Sequence, residues 1–196
     1  MKTSMFVLLS LLAGNALAGQ ETYGIDSTHS FANWSIRHVV SKTSGTFPDI
    51  KGKIIIDRAD LSKSSVEARI NVFSVNSNHA KRDDHIKKEE YLDAGKFGEM
   101  RFASTSVEAF DQSEGILHGK LTLHGVTREI SFPFKVLGFG PDPWGGNRMG
   151  VEAHTGIKAS DYGFPWALKP GAPVGDDIEI TLLIEGVQNN LDYKPW

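Results

Sequence analysis

Apolar and polar residues alternate with a period of two through most of this chain. The clearest stretch is LTLHGVTREISFPFKVLG, from Leu121 to Gly138. Leu121 and Leu123 alternate there with Lys120, Thr122 and His124, and Gly125 interrupts. Ile130, Phe132, Phe134 and Val136 then alternate with Glu129, Ser131 and Lys135. Period-two alternation means strands with one buried and one wet face. The same pattern recurs at Ala32–Arg37, Lys51–Ile56, Val66–Val72, Val151–Lys158 and Ile178–Glu185, and Met100 opens a strand running to about Phe110. Asp111–Gly115 reads as a turn, and Leu117–Leu123 as the strand after it. Eight long alternating strands predict an all-β fold, an antiparallel sandwich or barrel. One segment departs from the pattern. His79–Leu92 (HAKRDDHIKKEEYL) is charged and lacks Gly and Pro, so it predicts a short surface helix between two strands. Asn76 or Asn78 is its expected cap, and Asp83–Lys87 and Asp84–Lys88 its expected i,i+4 pairs.

The first eighteen residues read differently. Lys2 precedes an apolar run from Met5 to Ala13, and Ala16-Leu17-Ala18 fits a small-x-small cleavage site. The run suits a signal peptide and is too short to span a bilayer. Residues 1–18 are therefore expected to be a removable export signal, and residues 19–196 a single domain with a sizeable core. The expected destination is the periplasm.

Composition narrows the function. The chain has no cysteine, which excludes thiol catalysis, Cys zinc sites and iron–sulfur clusters. Its 21 basic residues face 24 acidic ones, with no basic block, so no nucleic-acid partner is expected. No Gly-x-Ser-x-Gly elbow, Ser-x-x-Lys, His-Glu-x-x-His or phosphate-cradling glycine loop is present. His79 and His85 lie six apart, off a common helix face, and make a poor metal pair. His29 and His38 sit near the ends of one strand, as rim residues or as bases. His118, His124 and His154 fall on predicted polar faces.

The inward faces carry Trp34, Ile36, Ile54, Ile56, Ile70, Val72, Phe102, Leu121, Leu123, Ile130, Phe132, Phe134, Val151, Ile180 and Leu182, with no charge among them. About eight strands leave a barrel interior wide enough for side chains or for one small ligand, so the pattern allows a filled or a hollow barrel. Trp144 in DPWGG and Trp166 in DYGFPW are loop aromatics that either cover a mouth or pin their loops.

Five motifs add a resemblance: Asp26-Ser27-Thr28-His29-Ser30, Ser35-Ile36-Arg37-His38, Arg82-Asp83-Asp84-His85-Ile86, Leu121-Thr122-Leu123-His124-Gly125-Val126-Thr127 and Asp142-Pro143-Trp144-Gly145. In this order, over about Thr22 to Val187, they resemble the YceI family of bacterial polyisoprenoid-binding proteins. Ile86 and Lys87 stand where the family usually has Leu and Arg, and Gly98 where Pro is frequent. The resemblance implies a lipocalin-like eight-stranded antiparallel barrel with an apolar tunnel. It also implies a bound isoprenoid chain, a quinone or precursor or a similar lipid, and commonly a periplasmic homodimer. It implies no catalytic residue, metal or cofactor. The inward residues above would then bind ligand, with His38, Arg37, Trp144, Arg148 and Trp166 as candidates for the mouth, and transient membrane contact would accompany loading. Two alternatives stay open: a filled barrel acting as a stress or interaction protein through its loops, and a lipid-modifying enzyme using His29, His38 or Asp26.

Overall fold

The computed structural model describes residues 19–188. The expected signal sequence, residues 1–18, lies outside the described residues. Ten strands occur in the order β1 (Glu21–Ile25), β2 (Phe31–His38), β3 (Ser41–Phe47), β4 (Ile50–Ile56), β5 (Ser65–Asn71), β6 (Glu99–Ala109), β7 (Glu114–Leu123), β8 (Val126–Pro141), β9 (Asn147–Lys158) and β10 (Val174–Gln188). One helix, α1 (Ala80–Ile86), and short 3-10 turns at Leu61–Lys63, Val72–Ser74 and Ala159–Tyr162 complete the fold.

All strand pairs are antiparallel, and β1-β4-β5-β6-β7-β8-β9-β10 close into a ring through β1 and β10. Eight strands close the barrel, as expected, but the membership differs from the eight read in the sequence. β1 belongs to the ring, and β2 stands beside it as half of a β2–β3 hairpin. The change happens along β10. Its first part, Val174–Leu183, pairs with β2, and its last part, Gly186–Gln188, pairs with β1.

That handover leaves the backbone of Glu185 between two neighbours, and the Asp26–Ser30 loop supplies its partners. The Asp26 amide donates to the Glu185 carbonyl at 2.9 Å, and the Ser30 hydroxyl donates to it at 3.2 Å. The Glu185 amide donates to Ser30 Oγ at 3.0 Å. Ser30 is fully buried, as a polar group in that place must be if it is satisfied.

The side chains around this loop form an ion network on the outer face of the wall, since Met149 and Ile184 take the inward positions beside Arg148 and Glu185. Arg148 is held by Asp142 (Nε to Oδ2, 2.9 Å), by Asp26 (Nη1 to Oδ2, 2.8 Å) and by Glu185. Asp26 also accepts from the Thr28 amide and hydroxyl and from His29. Burial opposes its charge most, but the hydrogen bonds from Thr28, His29 and Arg148 together outweigh burial and hold the carboxyl well below the usual range. The Asp26 and Asp142 bonds hold the Arg148 guanidinium correspondingly above its own range. Behind this network, Tyr23 and Met149 are almost wholly buried, and Arg58 lies 3.8 Å over the Phe139 ring.

The helix is shorter than the sequence predicts. His79, not Asn76 or Asn78, caps it by accepting from the Arg82 amide at 3.3 Å. Asp83 does not form the expected pair with Lys87; it accepts from the Ser77 amide at 2.8 Å and from the Ser77 hydroxyl. Arg82 donates from Nε to Ser77 Oγ at 2.7 Å. Asp84 pairs with Lys87, one residue nearer than expected. Lys87–Phe97 then turns back on itself, with Asp93 at φ 44°. Helix α1 thus hangs from the segment that exchanges amides with β3 (Thr46 and Asn76, both 2.9 Å), which covers that sheet edge.

Removing Arg148 tests this network. Arg148→Met strands three carboxylates and is expected to cost about 2 kcal/mol in urea unfolding at neutral pH. A depressed carboxyl stabilises the fold above its unfolded pKa, so wild-type stability should fall as the pH drops below about 4. The variant, with Asp26 less depressed, should show a shallower acid slope. Parallel slopes for the two proteins would remove Asp26 from this role.

Candidate functional site

The barrel is hollow. A cavity of about 620 Å³ runs through its interior, within the size range of small-molecule sites. Its wall is built by the inward positions of the strands. Trp34, Ile36, Ile54, Ile56, Ile70, Phe102, Leu121, Leu123, Ile130, Phe132, Phe134, Val151, Ile180 and Leu182 all line it, with His38 and Trp166 at one end. Val72 does not. β5 stops at Asn71, whose side chain accepts from the Phe73 amide and turns the chain, so Val72 is buried outside the cavity.

The cavity surfaces at the end where β10 begins. His38, Arg82, His85 and Pro173 are its exposed lining residues there. Of the five mouth candidates, His38 and Trp166 are in place. Arg37 faces outward from β2 and donates to the carbonyls of Val39 and Ala172. Trp144 and Arg148 sit toward the opposite end, outside the lining, where Trp144 is 80% exposed and the Arg148 guanidinium lies 5.8 Å from its ring.

Sequence reasoning missed the lining contributed by α1 and by the segment just beyond it: Arg82, His85, Ile86, Tyr91 and Leu92. The lining is therefore not free of charge. Arg69 and Arg101 also touch it, but alternation turns their side chains to the outer face, where Glu99 pairs with both. Among the described residues, no Asp or Glu lines the cavity.

An aromatic stack closes over the mouth end. The two-residue β7–β8 turn has both residues in the left-handed region, His124 at φ 52° and Gly125 at φ 75°, as a type I′ turn requires. The turn tilts the His124 ring between Phe97 (4.6 Å) and Phe164 (4.5 Å, stacked), and Nδ1 donates to the Tyr162 carbonyl at 3.2 Å. His124 is thus part of this cap and not of a wet sheet face. Phe164 stacks on Trp166 at 5.5 Å, and Trp166 lies 6.1 Å from Tyr91. Burial pushes the Tyr162 phenol up.

Two unpaired buried donors belong to side chains that line the cavity. The indole Nε1 groups of Trp34 and Trp166 are buried without a hydrogen-bond partner, and both rings line the cavity. Trp34 can lie flat against β3 only because position 45 is glycine; a Cβ there would be 2.6 Å from Trp34 Cζ2. Unpaired buried donors are costly, and an acceptor on a bound molecule would satisfy them.

Of the candidate acids and bases, Asp26 and His29 belong to the Arg148 ion network and do not line the cavity, whereas His38 does. With Glu185 they form a cluster that could hold a cation, but Arg148 already occupies Asp26 and Glu185.

Fold and site together define a lipocalin-like barrel with an apolar cavity whose exposed lining lies at the start of β10. The chain belongs to the YceI-like family, whose domain model matches residues 23–186. It is 38% identical to Protein YceI of Salmonella arizonae over 186 residues, covering 93% of this chain and 95% of that protein, and equally so to Protein YceI of Salmonella paratyphi B. Among solved structures, it is similar to the Campylobacter jejuni YceI protein, with TM-score 0.68 and 25% identity over 77% of this chain and 88% of that one. It also shares the fold of Burkholderia cenocepacia BcnA (TM-score 0.74, 18% identity, 82% and 98% covered). A polyisoprenoid binding domain from Saccharophagus degradans matches with TM-score 0.64 and 16% identity, covering 85% of this chain and 98% of that domain.

The stack over the mouth should be essential to the scaffold. Phe164 is buried, and Phe164→Ala is expected to cost about 3 kcal/mol or more in urea unfolding. A loss below about 1 kcal/mol would show that the loop does not depend on the stack.

Proposed function

We propose that this protein is a periplasmic carrier that holds the isoprenoid tail of a quinone, a quinone precursor or a similar long apolar lipid inside its barrel. The observation that carries the reading is the apolar cavity of about 620 Å³. Each five-carbon prenyl unit buried there contributes roughly 4 kcal/mol gross, less the cost of ordering the chain. An apolar wall discriminates weakly between tails one methylene apart, so selectivity falls to cavity length and to the few polar groups near the mouth. Trp166 supplies a donor at the mouth and Trp34 one deeper along the wall, and an oxygen-bearing head group supplies the acceptor at the mouth. The binding domain from Saccharophagus degradans, of the same fold, supports the ligand class. The pattern of residues 1–18 supports the periplasmic setting, and the family resemblance supports a homodimer. A binding role is favoured over catalysis because no carboxylate among the described residues lines the cavity to pair with His38, and the Asp26–His29 pair lies outside the lining.

Native mass spectrometry of protein purified without detergent, followed by solvent extraction, tests this directly. A stoichiometric prenyl lipid is expected. A bare protein mass, unchanged after incubation with quinones and prenyl phosphates, would overturn the carrier reading. Ile180→Trp, which fills the cavity without adding charge, should weaken quinone binding at least about tenfold. Trp166→Phe keeps the ring and removes the donor. It should weaken a quinone by about 1 kcal/mol and leave a plain prenyl hydrocarbon unaffected, measured by tryptophan-quenching titration.

A further inference from the structure

The β2–β3 turn breaks a local rule at the mouth of the cavity. It is a two-residue turn, closed by the His38–Ser41 pair, with Val39 at φ 53° and Val40 next. Positive φ at the first turn position alone is the pattern of a II′ turn, which favours glycine there. A β-branched residue in that region is a strained choice. The strain places two apolar side chains at a hairpin tip, where Val40 is 96% exposed.

A second apolar tip lies beside it. The Val39 amide donates to the Pro173 carbonyl at 2.7 Å, which ties the hairpin to the 163–173 loop. That loop carries Leu168, 76% exposed, and then Lys169. Arg37 is fixed between the two tips by its bonds to Val39 and Ala172. The acids at the start of β10 are each engaged: Glu179 by Lys42 and Ser35, Asp177 by Lys158, and Asp176 by Ser160. Arg37 and Lys169 therefore flank the apolar tips with positive charge.

We propose that Val39, Val40 and Leu168 form a docking surface for an anionic phospholipid bilayer, seating the cavity mouth on the membrane. The inference rests on the carrier reading for its purpose. The surface itself is argued from the strained apolar turn, the second tip and the basic flanks. Apolar tips enter the acyl boundary while the cations meet lipid phosphates, the combination that holds proteins at interfaces.

The test uses vesicles of phosphatidylethanolamine and phosphatidylglycerol carrying a long-chain isoprenoid quinone, with the full chain and two variants. Val39→Gly combined with Val40→Ser gives the turn its favoured residues and removes the apolar tip, so its thermal midpoint should equal or exceed that of the parent. Val40→Asp changes only an exposed side chain. Both should lower co-flotation and the rate of quinone uptake from vesicles at least about tenfold. Both should bind quinone delivered in detergent as tightly as the parent. Parental flotation and uptake by both folded variants would overturn the docking surface. So would a parent that forms dimers through this tip, lost in Val40→Asp, without floating with vesicles. Failure of the parent to bind detergent-delivered quinone would instead overturn the carrier reading, while tip-dependent flotation would still uphold the surface.

Discussion

A sheet that closes on itself must give each strand a neighbour on both sides along its length. β10 carries that obligation for this barrel, because its partner on one side changes from β2 to β1 partway along. A backbone group left without a partner at the change would open the wall to water. The Asp26–Ser30 loop prevents this by placing a main-chain amide and a buried serine hydroxyl on Glu185. A hollow barrel needs this more than a filled one. Its centre contributes little packing, so hydrogen bonds around the circumference and at the ends must hold the shape.

The molecule is accordingly divided. Charge gathers on the outer wall toward one end through Arg148 and its three carboxylates, and aromatics stack beside the mouth at the other through Phe97, His124, Phe164 and Trp166. Most of the five sequence motifs serve this scaffold. Asp26–Ser30 and Asp142–Gly145 form the charged end, Arg82 and Asp83 fasten the helix to Ser77, and His124-Gly125 makes the turn that presents the stack. The residues that meet the cavity are mostly plain aliphatics and aromatics outside those motifs.

The wall was legible in the sequence because alternation is a direct record of which side of a strand is dry. What alternation cannot record explains the rest. β1 buries Tyr23, Gly24 and Ile25 in succession and so shows no alternation. β3, SKTSGTF, reads as polar because a glycine stands where the Trp34 ring needs room. Val72 continues the apolar period of β5, but the Asn71 cap ends the strand first. The helix was overextended because nothing in KKEEYLD forbids a helix, and the turn at Asp93 is set by tertiary contacts. Trp144 and Arg148 were misplaced because periodicity says which face a residue occupies and not which end of the barrel it faces; Arg37 is at the mouth end but on the outer face.

The exposed lining at the start of β10 gives the cavity a direction. A chain-like guest taken in there would go in with its hydrocarbon end leading, leaving its oxygenated end beside Trp166. Exchange of such a guest would run in a last-in, first-out order, and an acceptor would meet the head before the tail.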